Sequence, residues 1–256
     1  MLSLSIWIGF VFYAVIMYGI ALKINKMSLM DIVWSLGLGA GTVVLFLELN
    51  TQSFSAWAAL ALMLLWSLRM GMHLFFNRIL SDKEDSRYQR LKNHSGVYWK
   101  WVFLLFFLLQ VFFIFIFLFP IKAAMESSEI SFLGFQVFGL IIGCLALAGE
   151  TLSDIQLNRF SSNPKNKLKV CKDGFWRYSR HPNYFFEWLF WLSFVGLACG
   201  SERMYISLIG PVAMYIFLRH ITGVPFAELS SLESRGDAYR LYQKETNVFF
   251  PWFPKI

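Results

Sequence analysis

The sequence predicts an all-α, polytopic membrane protein with seven transmembrane helices, and three observations carry that expectation. The 256-residue chain is 57% hydrophobic and only 15% charged, with 28 phenylalanines and a mean hydropathy of +0.54. Its apolar residues gather into runs such as WVFLLFFLLQVFFIFIFLFPI, and about 20 predominantly apolar residues suffice for a helix to cross a bilayer. Its basic residues are divided unequally between the two sets of alternating loops.

The runs place spans near 3–22, 29–49, 54–76, 97–121, 131–157, 183–200 and 203–222. The first run has no basic leading segment and no A-x-A-like cleavage site, so it is expected to be a retained span and not a signal peptide. No internal repeat or low-complexity linker interrupts the chain, which is expected to form one integral-membrane domain over 1–256. A polar tail from about residue 223 ends in NVFFPWFPKI. That aromatic ending suits either the membrane interface or a fold back onto the bundle.

Loop charges orient the spans. Lys23 and Lys26 lie in the first loop, and Arg78, Lys83, Arg87, Arg90, Lys92 and Lys100 in the third. The fifth holds Arg159, Lys165, Lys167, Lys169, Lys172, Arg177 and Arg180, and five more lie in the tail from Arg219 onward. Thus 20 of 23 basic residues share one side, Lys122 and Arg203 fall on the other, and Arg69 lies within a span. The positive-inside bias places the N-terminus outside and the C-terminus in the cytoplasm. The net charge of +7 is then a topology signal, and nucleic acid is not an expected partner.

Metal chemistry is not expected either. Cys144, Cys171 and Cys199 form no C-x-x-C, and the four histidines have no metal-ligand spacing. GLGAG at 37–41 follows no strand, so it is read as a helix-packing face instead of a dinucleotide fingerprint.

The informative residues are polar groups inside spans, each costing about 2.5–3.5 kcal/mol or more at the bilayer centre unless it faces the bundle interior and is paired. Glu150, Asp154 and Asn158 follow at intervals of four on span five and share a helical face. Asn183 and Glu187 repeat the interval on span six, just after a His-Pro suited to a helix start. Arg69 and His73 repeat it on span three, and Asp31 opens span two. Bland readings stand beside these: Arg69 with Asp31 as a structural pair, His73 as a core histidine, Arg177 and Arg180 as topology charges. Two acidic faces joined by a loop with seven basic residues resist that treatment. They suit a ligand whose phosphates stay by lysine and arginine while a less charged end enters the bundle, as a nucleotide cofactor would.

The run DIQLNRFSSNPKNKLKVCKDGFWRYSRHPNYFFEW (154–188) resembles the C-terminal signature of the steroid 5-alpha-reductase-like family of membrane reductases, in particular its bacterial branch of formerly unknown function. DIVW (31–34), LRMGMHLFFNR (68–78), EDSRYQRL (84–91), GVPFAE (223–228) and the closing YRLYQKETNVFFPWFP resemble that branch too. The resemblance implies a seven-helix, NADPH-dependent reductase of an activated carbon–carbon double bond in a steroid or other isoprenoid enone, seated in a bacterial inner membrane among its lipids. It implies substrate-side helices over 1–125 and a cofactor-binding half over 126–256. Asp154, Asn183 and Glu187 would contact the nicotinamide–ribose half, with Lys167 and Lys169 near the phosphates. Tyr178, Arg180 and His181 lie within the matching motif, and Glu150 stands where the animal enzymes carry asparagine.

The chain departs from the family's pattern at several places. Phe186 replaces a usual glycine, and Leu168 interrupts an N-K-G-K pattern. The glutamate and tyrosine that hold the substrate carbonyl in animal enzymes have no counterparts, Leu38 and Leu74 lying nearby. His73 and Asp31, supported by Arg69, are the expected carbonyl-polarising residues. Two rivals remain: an isoprenylcysteine-carboxyl-methyltransferase-like enzyme using S-adenosylmethionine, and a non-catalytic sterol-binding protein.

Overall fold

The computed structural model describes residues 4–81, 84–128 and 130–255; Lys83, counted among the loop charges, lies outside them. The secondary structure of the described residues is all helical, with no strand among them. They form two compact units, Met1–Ser131 with Ala198–Ser207 and Phe132–Leu197 with Leu208–Ile256.

The first unit contains α1 (Leu4–Ile24), α2 (Leu29–Leu49), α3 (Phe54–Leu74), α4 (Ser86–Ser95) and α5 (Trp99–Met125). Local chemistry sets the boundaries. Asn25 turns the chain out of α1 at φ 54°, and Asn50 ends α2 in the left-handed region with its N–H on the Phe46 carbonyl; asparagine tolerates that conformation better than most residues. The Ser53 hydroxyl accepts from the Ala56 N–H at 3.2 Å and caps α3. α3 continues into a π-helical turn, Phe75–Ile79. α5 runs through Pro120 although proline lacks a helical N–H.

The glycines of GLGAG do pack helices. A Cβ on Gly41 would lie 2.7 Å from Leu118 Cδ1 of α5, and one on Gly39 would lie 2.8 Å from Ser67 Cβ of α3. Small residues therefore let α2 approach two neighbours at once, and the Ser67 hydroxyl completes the seam by donating to the Ser35 carbonyl at 2.8 Å.

The second unit contains α6 (Leu133–Ser161), α7 (Pro182–Leu197), α8 (Ile209–Ile216), α9 (Val224–Arg235) and α10 (Asp237–Glu245). Gly139 and Gly196 bring α6 and α7 to backbone contact: a Cβ on Gly139 would sit 2.8 Å from both Leu197 N and Ser193 O. α8 continues into a second π-helical turn, Phe217–Ile221. Gly236, at φ 51°, separates α9 from α10.

Of the two places the sequence allows for the aromatic tail, the structure shows a fold back onto α7. Asn247 O accepts from Arg180 N at 2.8 Å, and Trp252 N donates to Tyr178 O at 3.0 Å. The Ser179 hydroxyl donates to Phe249 O at 2.8 Å. Phe249 and Phe250 pack edge-on against Phe185 and Trp188.

Among the described residues, six helices are long and apolar enough to cross a membrane: Ser5–Ile24, Leu29–Leu49, Phe54–Ile79, Ser86–Met125, Leu133–Ser161 and Met204–Arg235. The remaining expected span, 183–200, is the 16-residue α7. At 1.5 Å per residue it covers about 24 Å, short of a hydrocarbon core of about 30 Å. The third loop and the tail, read from sequence as polar connections, instead hold α4, α9 and α10.

Candidate functional site

In the second unit, α6 directs Glu150 and Asp154 along one face while α7 directs Asn183 and Glu187. The structure joins these faces: Asn183 Nδ2 donates to Asp154 Oδ1 at 3.3 Å. One turn deeper, Trp191 Nε1 donates to Glu187 Oε1 at 2.9 Å. Glu150 and Glu187 are both buried, at 3% and 6% exposure, which makes their carboxylates demanding hydrogen-bond acceptors in a low-dielectric setting. Phe186, which replaces the family's usual glycine, lies with its ring over Gly149, where any Cβ would overlap it. The bulk gained on α7 is accommodated by the bulk absent from α6.

The basic connection leaves the C-terminal end of α6. Lys165, Lys167 and Lys169 are exposed, with Leu168 between them at φ 70°. The connection then docks back on α6 through residues of no expected role. Phe175 N donates to Gln156 Oε1, and Trp176 Nε1 to Ser153 O, both at 3.0 Å. Gly174, at φ 57°, lies so close to Gln156 that a Cβ would overlap the amide. Gln156 of the DIQL stretch thus holds the loop, and its neighbour Asp154 meets α7.

Arg180 meets the tail. It is partly buried and braces the tail: Nε and Nη2 lie 2.7 and 2.6 Å from Glu228 Oε1, and Nη1 donates to the carbonyls of Gln243 and Thr246 at 3.1 and 2.6 Å. Gln243 Nε2 donates to the second Glu228 oxygen at 2.9 Å. His181 stacks on Tyr184 with ring centroids 5.3 Å apart and places Nε2 3.4 Å from Glu228 Oε1. Burial drives its pKa below the ordinary histidine value, and the hydrogen bond and charge of Glu228 offset only part of that. Tyr178 is half-buried, with its ring edge-on to Phe253. Lys172 pairs with Glu245 at 2.6 Å.

In the first unit, Asp31 anchors a second knot. Its carboxylate accepts from Arg78, from Arg87 at 3.1 Å and from the Tyr88 hydroxyl at 2.5 Å. Asp85 caps α4 by accepting from Arg87 N at 2.9 Å and also pairs with the Arg87 guanidinium at 3.0 Å. Burial raises the Asp85 pKa, but the hydrogen bonds and charges of Arg87 and the charge of Arg78 outweigh it and hold the carboxyl below its ordinary value. Glu84 accepts from the N–H groups of Met27 and Ser28 at the start of α2. His73 is half-buried, its Nδ1 3.3 Å from Asn77 Nδ2, and Arg69 is half-buried one turn earlier.

The quoted stretches therefore converge. DIVW, LRMGMHLFFNR and EDSRYQRL supply Asp31, Arg78, Asp85, Arg87 and Tyr88 to one knot. RYSRHPN, GVPFAE and the closing stretch supply Arg180, His181, Glu228 and Gln243 to the other. Sequence reasoning missed Arg78, Arg87, Tyr88, Gln156 and Glu228. Their polar groups were visible, but each has a partner far along the chain, from 19 positions for Gln156 with Phe175 to 57 for Tyr88 with Asp31. Among the described residues, no group of three or more His, Cys, Asp or Glu side chains is placed to hold a metal ion.

A family model described as "Protein of unknown function (DUF1295)" matches residues 17–246. No curated protein and no solved structure matches the chain.

Proposed function

The chain belongs to the DUF1295 family, and from that premise we propose that it is a membrane NADPH-dependent reductase of an activated carbon–carbon double bond in an enone-like lipid, a steroid or another isoprenoid. The observation that carries this reading is the α6–α7 pair, which joins Asp154 to Asn183 with buried Glu187 one turn further along α7. The lysine-bearing connection begins just beyond the end of α6.

This donor set fits NADPH in its chemistry. Lys165, Lys167 and Lys169 are exposed cations for its phosphates, including the 2′-phosphate. Asp154, Asn183 and Glu187 provide acceptors and an amide for the ribose and carboxamide, with Glu150 as a further buried carboxylate beside them in the sequence of α6. Arg180 and His181 position this set through Glu228. Bound NADPH would supply hydride to the β-carbon of the enone. A hydrogen-bond donor would meet the negative charge that develops on the enone oxygen; His73, with Arg69 one turn away on α3, is proposed for that role. Asp31, at the start of α2, holds Arg78, Arg87 and Tyr88 through its carboxylate.

We read α7 as a seventh span that is shorter than the others. From the charge bias we propose that the N-terminus lies outside and the tail in the cytoplasm, and the family resemblance suggests a bacterial inner membrane. Titration of the detergent-solubilised protein with NADPH and with S-adenosylmethionine tests the reading. Saturable NADPH binding, followed by NADPH oxidation on addition of a 3-oxo-Δ4-steroid or isoprenoid enone, is expected. Binding of S-adenosylmethionine instead, or of neither, overturns it.

A further inference from the structure

The corner where α4 gives way to α5 belongs to neither knot and takes no part in the proposed reduction. Gly96, at φ 52°, makes the turn, and a Cβ there would meet nothing within 4 Å, so the backbone angle alone calls for glycine. The 3-10 turn Gly96–Tyr98 then projects Val97 at 86% exposure, and Trp101 follows at 72%. These are large apolar surfaces beside charge. Lys92 Nζ lies 4.3 Å and Lys100 Nζ 5.8 Å from the Trp99 ring centroid.

The two ammonium groups are held without being neutralised. Trp99 orients them through its π face, Lys92 also donates to Asn25 Oδ1 at 3.2 Å, and the Tyr18 hydroxyl fixes the Lys100 carbonyl at 2.7 Å. Among the described residues, neither lysine has a carboxylate oxygen within 4.0 Å. Below them, Leu105, Leu109 and Phe112 continue the exposed face begun by Trp101 at helical spacing. Positive charge thus tops an uncovered apolar stripe.

We propose that this corner binds one anionic phospholipid, with its phosphate between Lys92 and Lys100 and an acyl chain along Trp101, Leu105 and Leu109. A soluble phosphate would satisfy the lysines and leave the stripe uncovered. A zwitterionic lipid would cover the stripe and bring no net charge to the lysines. An anionic lipid does both, and its attraction to each lysine accounts for its preference.

The test is lipid retention by the full chain, delipidated in mild detergent and then equilibrated with micelles containing dioleoyl phosphatidylglycerol or dioleoyl phosphatidylcholine. Native mass spectrometry is expected to show about thirtyfold preferential retention of phosphatidylglycerol, in line with two lysines near a headgroup. K92Q/K100Q should reduce that preference to parity, whereas K92R/K100R and K244Q/K255Q, in the second unit, should keep it. Equal retention of the two lipids by the unsubstituted protein overturns the proposal, whether or not any variant folds. So does a folded K92Q/K100Q protein with the preference intact, or loss of the preference in K244Q/K255Q. Displacement of phosphatidylglycerol by glycerol phosphate alone would reassign the corner to a soluble anion.

Discussion

Arg180 and Glu228 form a largely buried ion pair in which two guanidinium nitrogens meet one carboxylate oxygen at 2.7 and 2.6 Å. The pair links the start of α7 to α9, and the third guanidinium nitrogen reaches the end of α10. Charge in RYSRHPNY thereby serves two ends. Arg180 secures the turn, and Asn183, three residues on, reaches Asp154. The motif is a bracket as well as a candidate binding surface.

Removing one partner of the pair leaves the other charged group buried. Glu228→Ala should destabilise the second unit by about 3 kcal/mol, the lower range for breaking a buried pair. That corresponds to a fall in Tm of roughly 6–12 °C for a chain of this size. Thermal unfolding in detergent reads this directly, and an unchanged Tm would show that the bracket contributes nothing.

His181 gives the same region a pH dependence. Its folded pKa lies below its ordinary value of 6.5 because burial disfavours the imidazolium; Glu228 opposes the shift, and the charges of Arg180 and Arg219 add to it. The unfolded chain therefore binds the proton more readily. Stability from this group is complete above pH 6.5 and is lost as pH falls toward the folded pKa. Tm measured across mildly acidic pH should decline in the wild type and decline less in His181→Gln. Equal slopes would remove His181 from the account.

Gly139 and Gly196 predict a steric sensitivity with a built-in control. Gly139→Val places side-chain atoms where the α7 backbone lies, since even a Cβ would be 2.8 Å from Leu197 N and Ser193 O. Folded protein should be largely lost. Gly134→Ala, in the same helix with nothing within 4 Å of its Cβ, should be neutral by size-exclusion recovery. Equal recovery of the two variants would mean that α6 and α7 do not meet as described.

Six of the seven expected spans were legible because apolar run length speaks directly to helices, and the limits 29–49 of α2 coincide with those read from sequence. The pairing of Asp154 with Asn183 was foreshadowed by two faces of matching interval. The two knots were not legible. Asp31 is 47 positions from Arg78, and Arg180 is 48 from Glu228. Nothing local distinguishes an arginine that braces from one that awaits a phosphate. The polar helices α4, α9 and α10 escaped notice because they are short and lack a long apolar run. Their role is to carry these partners.

Glu187 separates binding from packing most cleanly. Its carboxylate is buried and already accepts from Trp191 Nε1 at 2.9 Å. Glu187→Ala would leave the indole N–H unmet, so a loss of binding in that variant would mix two causes. Glu187→Gln keeps a carbonyl oxygen for Trp191 and removes only the charge. A hydrogen bond to a charged group is worth about 1.5–3 kcal/mol. If the carboxylate meets the cofactor's carboxamide or ribose, Glu187→Gln should retain a near-native Tm while its Kd for NADPH rises about tenfold or more. If the glutamate serves Trp191 alone, the same protein should bind NADPH with unchanged affinity. Calorimetric titration of the folded variant tells these apart, and unchanged affinity would remove Glu187 from the cofactor site.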